Sequence, residues 1–369
     1  MTRSTKSEPT TAGGVGTSPQ RPDGVLKARG EFAYSSDLWH EDMIWGATLR
    51  SPHPYARIRH IDLTEALKLP GVYAVLTHAD VPGTNLYGLE HLDQPVLAVD
   101  TVRYQGEPVA LVGADHPETA RRALARIVVE YEVLTPITDA MAAVHGDGPS
   151  LHPGGNVVRH VPIRHGDVAA AKPLAEVVVT GEYEVGMQDQ AFLGPESGLA
   201  VPAEDGGVDL FVATQWLHVD QRQVATALGL PIEKVRLTLA GVGGAFGGRE
   251  DLSMQVHACL LARYTNKPVK MVYNREESFF GHVHRHPARI WCEHRATRDG
   301  RLVNVRMRIL LDGGAYASSS TAVCSNAASF AIGPYAAPNA LIESTVVYTN
   351  NPPCGAMRGF GAVQTCFAG

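Results

Sequence analysis

The chain of 369 residues is 44% hydrophobic and carries a formal net charge of −6. That balance supports ordinary apolar cores in two or three domains and leaves no basic surplus for nucleic acid. No apolar run reaches membrane-spanning length and the opening MTRSTKSEPT has no apolar signal core, so a cytoplasmic protein with no membrane partner is expected.

The five cysteines, Cys259, Cys292, Cys324, Cys354 and Cys366, are odd in number and widely spaced. Without a C-x-x-C pair they predict reduced thiols, most of them buried, and neither a zinc knuckle nor an iron–sulfur site.

Residues 1–23 are rich in Ser, Thr, Gly and Pro and lack apolar periodicity, which predicts a flexible tail. From Gly24, strand-like runs at Ile44–Leu49, Val72–Leu76, Val109–Val112 and Ile127–Tyr131 alternate with helical ones, clearest at Pro117–Arg126. The pattern predicts a mixed α/β domain over 24–135. Within it His53 lies between two prolines, which hold it in extended backbone, and a rigid surface turn is a plainer reading than catalysis. Residues 136–154, rich in Gly and Pro, read as a linker.

The second region opens with a strand at Val177–Val185. A further strand at Phe211–Thr214 delivers Gln215 and Trp216 ahead of a helix over 218–228, where open sheets present ligand-contacting side chains. Next, the strand Val235–Leu239 runs into Gly241, Gly243, Gly244, Gly247 and Gly248, with Phe246 among them and Glu250 at the exit. A helix follows from about Leu252. So many residues without a Cβ predict backbone approaching something closely, with N–H groups and a helix N-terminus suited to an anion; a tight structural turn is the alternative. Neither familiar phosphate loop fits. Phe246 stands where the dinucleotide pattern needs glycine, and Arg249-Glu250 where the P-loop needs Lys then Ser or Thr.

Beyond a strand at Val269–Tyr273, His282, His284 and His286 alternate, which would set them on one face of a strand, as metal ligands or as a polar edge. Asp299-Gly300 turns a hairpin between Arg289–Arg298 and Arg301–Leu311. Arg358 lies among small residues, where a guanidinium suits a phosphate. A last helix starts near Val363.

The phrases RSPHPYARI, ALKLPGVYAVLTHADVPG, VRYQGEPVALV, ATQ (213–215), GVGGAFGGRE (241–250), DGGAY (312–316), GPYAAPN (333–339) and TNNPPCGAMRGFG (349–361) occur in this order. Together they resemble the molybdenum-cofactor subunit of the xanthine dehydrogenase and aldehyde oxidase family, in its bacterial large-subunit form. The resemblance implies an α+β fold, an α/β-hammerhead domain over 24–135 followed by the first molybdenum-cofactor-binding domain over 155–369. It also implies a second cofactor-binding domain, carrying a general-base glutamate, that these residues do not include. The chain is thus expected to be the N-terminal portion of a longer polypeptide and inactive alone.

The chemistry so implied is hydroxylation of an electron-poor carbon with water at molybdenum–molybdopterin, or its cytosine dinucleotide form. A purine such as hypoxanthine or xanthine is the first substrate class, with an aldehyde or another N-heterocycle as the alternative. Electrons are expected to leave through iron–sulfur clusters and FAD on partner subunits of a hetero-oligomer.

By resemblance, Gln215 hydrogen-bonds an oxygen ligand of molybdenum, while Phe246 with Gly244, Ala245 and Gly247 lies against the metal and pterin without ligating it. Glu250 binds the substrate heterocycle, Arg358 contacts the cofactor and Phe360 lines the substrate ring. Asn326 stands where purine-oxidising members carry an arginine. An amide lacks the charge that steadies a purine's developing negative charge, which shifts weight towards another N-heterocycle or an aldehyde. Two other readings compete: a truncated chain that binds no cofactor, and a stand-alone nucleotide-binding protein, which the failure of both phosphate loops disfavours.

Overall fold

The computed structural model describes residues 14–369; the first part of the expected tail, 1–13, lies outside the described residues. Residues up to Ala33 make one unit and Tyr34–Gly369 a second. In the first, the helix Gly24–Arg29 closes on Gly30 at φ 71°, a left-handed cap that a glycine adopts without a Cβ clash.

The second unit is organised by a seven-stranded sheet. Its spatial order is Val235–Leu239, Val208–Val212, Ser197–Pro202, Val269–Val272, Ile44–Arg50, Pro108–Ala114 and Val72–Leu76. Strands from either side of the 136–154 segment meet where Ile44 pairs in parallel with Val269. Pro108–Ala114 is buried along its whole length, which is why PVALV reads as an unbroken apolar run rather than an alternating one. The helix Gln255–Thr265 is buried from Gln255 to Ala262, so it lies inside the main core with Leu111, Leu210 and Met271 rather than on the surface.

A five-stranded sheet follows, ordered Val177–Val185, Ala288–Ala296, Leu302–Asp312, Ala340–Val347 and Val157–His165. Its central hairpin turns at Gly300, φ 87°, as the Asp-Gly signal predicts. The helices Ser320–Ser329 and Ala362–Ala368 cover the sheet, packing Val323, Ala327 and Ala368 into the core of Val305, Met307 and Ile309. A small sheet of Thr101–Val102, Ala56–Asp62 and Val128–Val133 completes the earlier region. His53 sits beside it, its ring edge-on to Tyr131 at 5.0 Å. All five cysteines are free thiols, four buried and Cys366 exposed. Among the described residues no helix is long and apolar enough to cross a membrane.

Two boundaries differ from the sequence expectation in ways that matter. The strand expected at Phe211–Thr214 is Val208–Val212, so Gln215 lies in the loop beyond it. The helix behind the glycine loop begins at Gln255 rather than near Leu252, and its first turn is buried. Its N-terminus therefore faces the core and is not the anion site that the glycine pattern suggested.

Candidate functional site

Val208–Val212 and Val235–Leu239 run parallel with Val212 opposite Leu239, so the chain leaves both strands at the same end of the sheet. That register brings Gln215, after the first strand, against the glycine loop, after the second. The Gln215 side-chain oxygen accepts the N–H groups of Gly247 at 3.0 Å and Arg249 at 3.3 Å. Two donors on one side require an acceptor there, which fixes the amide oxygen inward and turns the NH2 group outward on an exposed residue.

Arg249 is the residue that sequence reasoning missed. Only 4% exposed, its guanidinium donates to the carbonyls of Gly244 at 2.9 Å and of Ala213 and Pro195 at 3.3 Å, and also to that of Gly194. The Phe192 ring lies 4.2 Å from the cation. The Arg249 carbonyl accepts the Gln215 N–H at 3.0 Å and the Thr214 hydroxyl at 3.2 Å. One buried cation thus fastens three segments together. The signal was a basic residue inside a glycine run, which the sequence offered only as a mismatch to the P-loop.

The glycines fit the protein to itself. A Cβ on Gly243 would stand 2.8 Å from Gly194 Cα, and one on Gly247, at φ 99°, would stand 2.6 Å from the Ala356 carbonyl oxygen. The close approach foreseen from composition is therefore of backbone to backbone. Between these contacts Gly244 and Ala245 are half-buried, and Phe246 is 52% exposed with φ 51°. Phe360 has φ 44°. A bulky residue held in the left-handed region is strained, and such strain collects at sites where a ring must be aimed. The two rings are tied through the Arg358 N–H, which donates to the Phe246 carbonyl at 2.9 Å.

Phe246, Gly247, Glu250, Arg358 and Phe360 border one cavity of about 710 Å³. Burial pushes the half-buried Glu250 carboxyl above its ordinary pKa. Leu89 and Glu90 from the earlier region, and Trp216, Val219 and Arg222 from the segment after Gln215, also line the cavity; none of these was singled out from sequence as a substrate contact. Asn326 does not line it. From its own helix Ala322, preceded by Ser319, reaches the wall, and Asn326 lies one turn, roughly 6 Å, farther along.

The histidines contradict the expected strand face. None lies in a strand of either main sheet, and they are buried at 5%, 4% and 0% exposure, which excludes a polar edge. His282 sits between Asp189 at 3.1 Å and Glu196 at 2.6 Å, with the His284 ring stacked at 5.4 Å. Burial opposes its charge, but the two carboxylates outweigh that and hold its pKa up to about 9. His286 turns away to Ser320 at 2.8 Å, so the three rings do not converge on a point. The cluster reaches the site through Gln190, whose oxygen lies 3.1 Å from His282 and whose NH2 donates to the Ala356 carbonyl at 2.7 Å.

With this geometry in place, similarity to known proteins is decisive. Residues 151–369 match the molybdopterin cofactor-binding domain, and residues 29–135 match the aldehyde oxidase and xanthine dehydrogenase a/b hammerhead domain. The chain belongs to the aldehyde oxidase and xanthine dehydrogenase family. Its fold is the hammerhead domain followed by a molybdenum-cofactor-binding domain. It is 39% identical over 350 residues to the nicotinate dehydrogenase large molybdopterin subunit of Eubacterium barkeri, covering 95% of this chain and 82% of that one. A probable xanthine dehydrogenase subunit of Bacillus subtilis is 38% identical over 94% of this chain, which spans only 47% of that relative's length. The aldehyde oxidoreductase of Desulfovibrio gigas superposes with a TM-score of 0.91 at 29% identity, over 94% of this chain and 40% of that one.

The side chains suit an anionic, oxygen-rich cofactor. Gln215 turns an NH2 donor outward, and Arg358 presents an exposed guanidinium that forms no ion pair among the described residues. Both stand on backbone fixed by the glycine loop.

Proposed function

We propose that this chain forms the substrate and cofactor wall of a molybdenum hydroxylase that adds a water-derived oxygen to an electron-poor ring carbon of an N-heterocycle, a purine such as hypoxanthine or xanthine or another ring of that size. The observation that carries this reading is the position of Glu250, a carboxyl pushed towards its neutral form, in one cavity with Phe246, Phe360, Arg358 and the loop oriented by Gln215. When bound, the molybdenum–molybdopterin group supplies a two-electron redox centre able to pass oxygen from water to carbon. Gln215 would hold an oxygen of that group through its outward NH2, and Arg358 would pair with its anionic part. Glu250 hydrogen-bonds a ring nitrogen or its N–H, and the two phenylalanine rings set the plane of the heterocycle. Iron–sulfur and FAD subunits receive the electrons, in a hetero-oligomer.

The test is turnover by the cofactor-loaded assembly in 18O-labelled water with xanthine, nicotinate and an aldehyde offered in turn. The reading expects label in a hydroxylated heterocycle. Oxidation of the aldehyde alone would move the substrate class, and absence of label in any product would overturn the hydroxylase reading.

A further inference from the structure

The helix Leu217–Leu228 begins two residues after Gln215, and Trp216, Val219 and Arg222 reach the cavity from it at three-residue spacing. Among the described residues the exposed Arg222 guanidinium forms no ion pair. The other charges at the cavity are committed or muted. Glu90 accepts the Thr321 hydroxyl. Arg358, its backbone N–H anchored to the Phe246 carbonyl, is assigned to the cofactor in the hydroxylase reading. Glu250 is shifted by burial towards its neutral form. The helix Ser320–Ser329 brings Ala322 to the wall and no charged group, Asn326 being off the lining. Of the cavity's two exposed guanidiniums without an ion pair among the described residues, Arg358 is the one given to the cofactor, and Arg222 is left to the ring.

We propose that Arg222 is the specificity-determining cation of this cavity and pairs with a planar heterocycle that carries negative charge, on a ring carboxylate or on a deprotonated oxo-purine ring. This rests on the hydroxylase reading for the place of the ring and adds to it the ring's charge. A guanidinium meets either anion with two parallel N–H donors, and the Trp216 indole on the same cavity wall offers a face for the ring. Arg222 stands at the rim of the cavity on a helix, while the groups assigned to the cofactor stand on the loop. Its substitution should therefore change which ring is held without changing whether the cofactor is held.

The experiment compares the cofactor-loaded assembly containing wild-type chain, Arg222→Gln and Arg222→Lys, with nicotinate, xanthine and the uncharged nicotinamide as substrates. Arg222→Gln is expected to raise KM for the anionic ring by about tenfold or more, with little change in kcat. KM for nicotinamide should move by less than about twofold, and Arg222→Lys should recover part of the loss. Quenching of Trp216 fluorescence by the same three ligands, with Trp216→Phe as the control, reads binding without turnover. A shift confined to nicotinate assigns the charge to a carboxylate, and one confined to xanthine that grows as its ring ionises assigns it to the ring. Equal shifts for all three ligands, or none, overturn the proposal while hydroxylation stands. If no heterocycle is oxidised at all, the hydroxylase reading fails separately, and the fluorescence titration still decides whether Arg222 selects the anion.

Discussion

The two walls of the cavity are built on opposite terms. On the loop wall the backbone is fastened by committed side chains: Gln215 holds Gly247 and Arg249, Arg249 holds Gly244 and Ala213, and Gln190 joins Ala356 to the His282 cluster. On the helix wall Trp216 and Arg222 are exposed, and the Arg222 guanidinium forms no ion pair among the described residues. A surface that must hold one cofactor in one pose gains from committed backbone, whereas one that must admit and release a small ring keeps its side chains available. The contrast predicts that damage to the loop wall appears as lost stability and lost cofactor, and damage to the helix wall as altered substrate preference.

The largest effect should come from Arg249→Met. It removes the donor to the carbonyls of Ala213, Gly194, Pro195 and Gly244, all brought together by one buried side chain. A cost of about 3 kcal/mol or more is expected, together with loss of bound molybdopterin. Denaturant unfolding and the fluorescence of released pterin measure both. Full stability with full cofactor content would remove Arg249 from its place as fastener.

His282→Gln should follow closely, at about 3 kcal/mol, since it leaves the buried Glu196 without its cation and the half-buried Asp189 with His284 alone. Burial alone would push both carboxyls up; hydrogen bonds from His282, joined at Asp189 by His284, outweigh it and hold them low. The pH dependence has a definite sign. His282 titrates higher in the folded protein, about 9, than its ordinary 6.5, so its stabilisation is complete below pH 6.5 and is lost as pH rises through 9. Wild-type stability should therefore fall across that window more steeply than that of His282→Gln, as unfolding midpoints from pH 6 to 10 would reveal. Parallel pH profiles would mean the ring is not charged in the fold.

Gly247→Ala comes next. Its Cβ would meet the Ala356 carbonyl at 2.6 Å on a backbone of φ 99°, a strain of about 1–3 kcal/mol that also displaces one of the two donors holding Gln215. Unfolding midpoints measure the first part. Recovery of wild-type stability by Gly247→Ala would show that the loop can retreat from Ala356.

Much of this architecture was legible because it depends on local pattern. Val72–Leu76, Val177–Val185 and Val235–Leu239 are strands over the ranges that alternation gave, and Gly300 turns the hairpin that Asp-Gly announced. Gln215, Phe246, Glu250, Arg358 and Phe360 do come together around the cavity or its loop, but only the resemblance to a family could gather them from such distant positions. What stayed hidden depends on tertiary partners. The glycine run announced close approach without saying that the neighbours were Gly194 and Ala356. The alternating histidines kept the period of a strand while their pairing was decided by Asp189 and Glu196, more than eighty residues earlier. Asn326 depended on where its helix passes the cavity, which no spacing along the chain encodes.

The smallest effects on stability separate Glu250 from Asn326. Glu250 is half-buried at the loop's exit with no cation paired to it among the described residues, and its carboxyl is already biased towards the protonated form by burial. Glu250→Gln keeps the shape and a donor, so stability should move by less than about 0.5 kcal/mol. A ring nitrogen that accepts from the acid can still accept from the amide, whereas a ring N–H that needs the carboxylate finds a weaker acceptor. The drop in kcat/KM should then depend on substrate protonation, with about a tenfold loss where the ring donates and much less where it accepts. Asn326→Ala, one turn beyond the lining, should change neither stability nor KM by more than about 0.5 kcal/mol. If Asn326→Ala altered KM as much as Glu250→Gln, the helix Ser320–Ser329 would have to move one turn towards the cavity when the site is filled. The division between a committed loop wall and an open helix wall would then hold only for the unfilled site.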